Sequence, residues 1–142
     1  LSGDVGGIRL ERFAYVCAPT PPPDVDLDAW RECVRRLRAL GAARILPTHF
    51  GGVDDVAWHL DDLDARLAST AAWAEEAASP RPDPDALAQA MRERAEAEIL
   101  AATGSEHAVR AYEQAVPYPM MAAGLLRWHE VSSRPARRPG GG

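Results

Sequence analysis

"ARILPTHFGGVDDVAWHLDDLDARL" occupies residues 43–67, and the way it divides decides the fold. Ile45 and Leu46 read as a short buried strand. Pro47 ends it, because proline fixes φ and has no N–H to give to a ladder. Val53, Val56, Leu60, Leu63 and Leu67 then recur at steps of three and four, which marks a long helix from Val53 to about Ala78. Asp54, Asp55, Asp61, Asp62 and Asp64 take much of its other side, and acid near a helix start suits the macrodipole. Upstream, Leu27, Trp30, Val34, Leu37 and Leu40 share one face of a helix over 27–40, with Asp26 as N-cap and Gly41 at C′. Helix, strand and helix in succession predict a layered α/β arrangement.

Working outward from this core gives two unlike halves. On the N-terminal side, "DVGGIRL" (4–10) and "FAYVCA" (13–18) read as a turn and two short strands, and "PTPPPDVD" (19–26) as an extended surface loop. On the C-terminal side nearly everything is helical. Helices are expected over 85–102, with Leu87, Met91 and Ile99 inward and Gly104 beyond its end, over 105–116 and over 118–130. "SSRPARRPGGG" (132–142) reads as a disordered basic tail whose Arg134, Arg137 and Arg138 serve solubility. The few short strands leave sheet edges without partners, which predicts a covering sheet outside the chain, or self-association as a homodimer.

Bulk composition narrows the function. The chain has 142 residues and a formal net charge of -5, which argues against a nucleic-acid-binding surface. All 16 basic residues are Arg, and the absence of Lys and Asn beside abundant Ala reads as the codon bias of a GC-rich genome. No apolar run reaches the roughly 20 residues that span a bilayer. Cys17 and Cys33 fit neither a disulfide framework nor a C-x-x-C site, so a reduced, cytoplasmic setting is expected.

Two positions stand out chemically. Asp4 lies in a glycine loop, and His49 follows the 45–46 strand at the approach to a helix. Ligands and metals collect at strand ends in open layered sheets, and carboxylate and imidazole are ordinary ligands for zinc or iron. By themselves the two residues have a plainer reading: Asp beside Gly is most often a turn residue, and a Thr-His before a helix is most often a cap or a structural histidine. His59 reads as part of a solvated acidic helix face, and His107 and His129 as helix-surface residues. The four tryptophans read as packing residues and Met120–Met121 as gap filling.

"SGDVGGIRL" (2–10), followed by "PTPPPDVDLDAWRECVRRLRALGAARILPTHFGGVDDVAWHLDDLDARL" (19–67), resembles the C-terminal half of a metallo-β-lactamase-fold hydrolase. "AYEQAVPYPMMAAGLLRWHE" (111–130) is similar to the helical tail of many members. The resemblance implies an αββα-type fold, represented by its second half over 1–78, with a helical extension over 79–131. It implies that Asp4 matches the carboxylate bridging two metals and that His49 matches a ligand to the second metal, with Thr48 and Phe50 shaping the turn. Two divalent ions, zinc or iron, would serve metal-assisted hydrolysis of an ester-, thioester- or lactam-like bond in a small-molecule substrate. The family's His-x-His-x-Asp-His segment is not in this sequence. With only Asp4 and His49 as ligands, the isolated chain is expected to bind metal weakly and to hydrolyse nothing. The reading of a different class is a non-catalytic helical interaction or regulatory module, in which Asp4 and His49 are turn residues.

Overall fold

A computed structural model describes residues 3–10, 13–22, 25–78 and 82–133 of the chain. Five α-helices carry it: α1 (Leu27–Ala39), α2 (Val56–Ala77), α3 (Pro84–Thr103), α4 (Glu106–Ala115) and α5 (Tyr118–Ser132). One 3-10 turn, Asp4–Gly6, stands ahead of them. Asp24, residues 79–81 and the tail arginines lie outside the described residues.

The α/β expectation is overturned. Among the described residues there is no strand and no sheet, only isolated bridges: Gly3 with Pro47 (parallel), and Ile8 with Cys17 and Ile45 with Val53 (antiparallel). Each antiparallel bridge is a closed pair of hydrogen bonds, Ile8–Cys17 at 2.9 and 2.8 Å and Ile45–Val53 at 3.0 and 2.9 Å. The chain beside each bridge prevents a ladder. Pro47 has no N–H, and Gly3, Gly7, Phe50 and Gly51 take positive φ, which turns the backbone out of the extended region. The apolar runs are real, but they pack as single bridged segments against helices, with Ile45 buried and Leu46 left exposed.

The helices follow local rules closely. The Asp26 carboxylate accepts the Ala29 N–H at 2.9 Å and opens α1. Asp83 accepts from Asp85 and Ala86 at the start of α3, with Pro84 in its first turn, and Gly104 closes it at φ 61. Ser105 caps α4 by accepting the Ala108 N–H. Each such cap is worth about 1 kcal/mol. Two boundaries and faces differ from expectation. The second helix starts at Val56, because Val53 is held by Ile45. Leu40 is 75% exposed, since it stands past the last helical residue of α1, where the chain leaves the buried face.

Helix α1 packs on α2, and α3 packs on both α4 and α5. One core joins Val34 of α1, Leu60, Leu63 and Leu67 of α2, and Leu125 of α5. A second gathers Ile8 and Tyr15 against Ile99, Val109 and Tyr112. Each fully buried side chain of this size contributes about 1.5–3 kcal/mol. The N-terminal segment is tied in by polar contacts as well. The Tyr112 hydroxyl donates to the Tyr15 carbonyl at 2.6 Å and accepts the Leu10 N–H at 3.1 Å. Gly124 lets α5 approach residues 20–21, since a Cβ there would overlap the Thr20 carbonyl oxygen.

His59 is also corrected. It is fully buried and not on a solvated face. It stands three residues after Val56 and four before Leu63, which places it on the buried stripe of α2. Asp62 is likewise turned inward and accepts the Val16 N–H at 2.8 Å.

Candidate functional site

Asp4 and His49 come together. Asp4 opens a single 3-10 turn set between Gly3 (φ 61, ψ -157) and Gly7 (φ 69, ψ -173), a backbone region that is essentially glycine's alone. Gly7 has a further constraint: a Cβ there would meet the Cys17 carbonyl, Leu63 and Val16, each at 3.0 Å. The second loop follows Pro47 and turns through Phe50, whose φ of 64 is unusual for an aromatic residue. The Gly3–Pro47 bridge joins the loops, and the Thr48 N–H lies 3.4 Å from the Gly3 carbonyl.

This geometry leaves the His49 Nε2 3.6 Å from an Asp4 carboxylate oxygen, with both side chains largely in solvent (55% and 76% exposed). The separation is longer than a hydrogen bond. Two ligands on one tetrahedral zinc lie roughly 3.4 Å apart, given metal–ligand bonds near 2.1 Å, so the pair has the chemistry and spacing of two metal donors. Among the described residues no cluster of three or more His, Cys, Asp or Glu side chains could hold a metal ion. Phe50 rests near the His49 ring, with centroids 6.1 Å apart, and is itself half exposed.

Sequence reasoning missed what lies beneath the pair. The His59 Nε2 is 2.7 Å from the Gly6 carbonyl, and the Trp30 indole Nε1–H donates to the Val5 carbonyl at 2.8 Å. Both contacts fall on the turn that begins with Asp4. The i+3 and i−4 relation of His59 to Val56 and Leu63 was a legible signal of its burial; nothing in the sequence marks the Trp30 contact. His107 stands apart on α4, its ring 6.0 Å from Phe13, and His129 lies on α5.

A cleft of about 50 Å³ opens elsewhere, between α2, α3 and residues 15–18. Arg66 and Arg94 reach into it, and both pair with Glu98, at 3.1 and 2.8 Å. Arg66 also stacks on Tyr15 and Arg94 on Trp73. These charges are matched internally. Burial, with Glu98 nearby, pushes the Cys17 thiol in this cleft up to about 12, which favours its protonated form at neutral pH. Cys17 and Cys33 are both free. No described helix is long and apolar enough to cross a membrane.

Comparison of the chain with protein-family models, with curated proteins and with solved structures gives no significant match to any of the three.

Proposed function

We propose that the chain contributes Asp4 and His49 to the metal centre of a hydrolase similar to the metallo-β-lactamase-like enzymes, with the remaining ligands supplied from outside the chain. The observation that carries this reading is the 3.6 Å approach of the two side chains from loops far apart in sequence. An exposed turn that holds Phe50 at φ 64 beside His49 is a costly arrangement, and strain of this kind collects at functional sites. Asp4 has two carboxylate oxygens and would hold both metals; neutral His49 would hold one. Divalent zinc or iron held there would supply the Lewis acidity that hydrolysis of an ester-, thioester- or lactam-like bond requires.

The test is a zinc titration of the chain, followed through the His49 ring proton by NMR. Weak, saturable binding is expected, lost in Asp4→Asn by the same signal and in His49→Ala by isothermal titration calorimetry. Binding that survives both substitutions overturns the reading, as does a chelator-resistant stoichiometric metal held without them.

One observation favours an interaction module instead. Leu46 and Phe50 are 44% and 48% exposed beside the isolated Ile45–Val53 bridge, and so offer an apolar edge for another chain or a second copy. If zinc has no effect on His49, and Leu46→Arg changes the elution volume on gel filtration, that reading replaces the hydrolase.

A further inference from the structure

We infer that Trp30 and His59 are positioning residues for Asp4, a pair of side-chain donors that fix the Asp4–Gly6 turn from beneath; the inference rests on the metal-site reading above. The turn has little backbone support of its own. Its internal bonds are Gly6 N–H to Gly3 at 3.3 Å and Gly7 N–H to Asp4 at 3.0 Å, and Gly3 and Gly7 on either side have the widest conformational freedom of any residue. Asp4 itself is mostly in solvent and touches little. Between the Gly3–Pro47 and Ile8–Cys17 bridges, the two carbonyls that follow it are what hold the turn. The Val5 carbonyl accepts the Trp30 indole N–H at 2.8 Å, and the Gly6 carbonyl lies 2.7 Å from His59 Nε2. A carbonyl can only accept, so His59 carries its proton on Nε2.

The donors come from different helices. Trp30 stands on α1 and His59 on α2, two helices packed directly on each other. The turn is thus referenced to the helix pair as well as to its bridged flanks. The arrangement is also costly. His59 is fully buried, and its Nδ1 is enclosed without a hydrogen-bond partner. An apolar residue at this place on α2 would leave no ring nitrogen unsatisfied, but it would strip the buried Gly6 carbonyl of its donor. A carbonyl oriented under Asp4 is what the imidazole provides in exchange. Partners bonded directly to a ligating group are worth about ten- to a hundredfold in metal affinity, and contacts one step further out, through the turn backbone, fall at the low end of that range.

The experiment repeats the His49-detected zinc titration on the full chain with four variants. His59→Leu should weaken zinc binding about tenfold. His59→Gln places an amide N–H where Nε2 stood and should restore most of the loss. Trp30→Phe keeps an aromatic ring, though a smaller one, and removes the N–H; it should weaken binding severalfold, which keeps the test open if His59→Leu does not fold. Ile99→Val, a comparable loss of packing far from the turn, should leave affinity unchanged. If Asp4→Asn abolishes binding while His59→Leu and Trp30→Phe both bind zinc like the parent chain, the inference is overturned and the metal-site reading stands. Equal weakening in Ile99→Val overturns it too, since the effect would then be general destabilisation. If Asp4→Asn has no effect, the metal-site reading falls and takes the inference with it.

Discussion

Helices α3 to α5 and the two loops that carry Asp4 and His49 are built on different principles. The helices are specified close to home: Asp83, Pro84 and Gly104 bound α3, and Ser105 opens α4 within a few residues of the groups they satisfy. The loops have no such local plan. Their backbone is held at isolated bridges and by groups from elsewhere, the Trp30 and His59 side chains under one loop and the Gly3 carbonyl beside the other. A segment closed by local bonds tolerates change at a distance. A segment held from outside depends on atoms far away in sequence, but its exposed tip is free to carry chemistry.

That contrast can be broken most severely where helix and N-terminal segment meet. Gly124→Ala should destabilise the chain by about 3 kcal/mol or more, because the added methyl overlaps the Thr20 carbonyl and neither backbone can yield. Thermal denaturation measures it; a melting point like the parent's would mean that α5 and residues 20–21 do not meet so closely. Tyr112→Phe comes next. Removing the hydroxyl strips a partner from both Leu10 N–H and Tyr15 carbonyl, and should cost roughly 2 kcal/mol by denaturant unfolding.

A pH dependence sharpens the difference. Burial depresses the pKa of His59 below its ordinary 6.5, despite the opposing Gly6 contact. A depressed folded-state pKa means the neutral ring is favoured by folding. Its stabilisation is complete above about pH 6.5 and is lost as pH falls from there through the folded value. The urea midpoint should therefore drop between pH 7.5 and 5.5, and His59→Gln should flatten that drop. A slope that survives in His59→Gln would assign the effect to another group.

The smallest effects belong to caps and exposed tips. Asp83→Ala should cost about 1 kcal/mol, the ordinary price of an N-cap. Asp4→Asn and His49→Ala should shift stability by no more than about 0.5 kcal/mol, as both side chains stand mostly in solvent. A large loss in either would make them structural residues and not ligands.

Much of the helical half was legible. Asp26, Gly41 and Gly104 fall where the periodicity places caps and ends, and Leu60, Leu63, Leu67, Leu87 and Ile99 are buried as their spacing predicts. The strands were not. "RIL" and "FAYVCA" have the composition of strands, yet a strand exists only where a neighbour continues its ladder. Composition also misled at His59, where the acidic neighbours concealed a buried helix position.

Asp4 and His49 could each be singled out from residue type and loop context, because side-chain chemistry and turn chemistry are local properties. Helix positions, caps and the glycine turn were determined in the same way, by interactions reaching three or four residues. Only the tertiary structure decided that the two residues stand 3.6 Å apart, that the bridges stop at single pairs, and that Trp30 and His59 share the task of holding one turn. Those facts depend on how α1, α2 and the N-terminal segment pack, and packing joins residues whose separation along the chain carries no periodic signal.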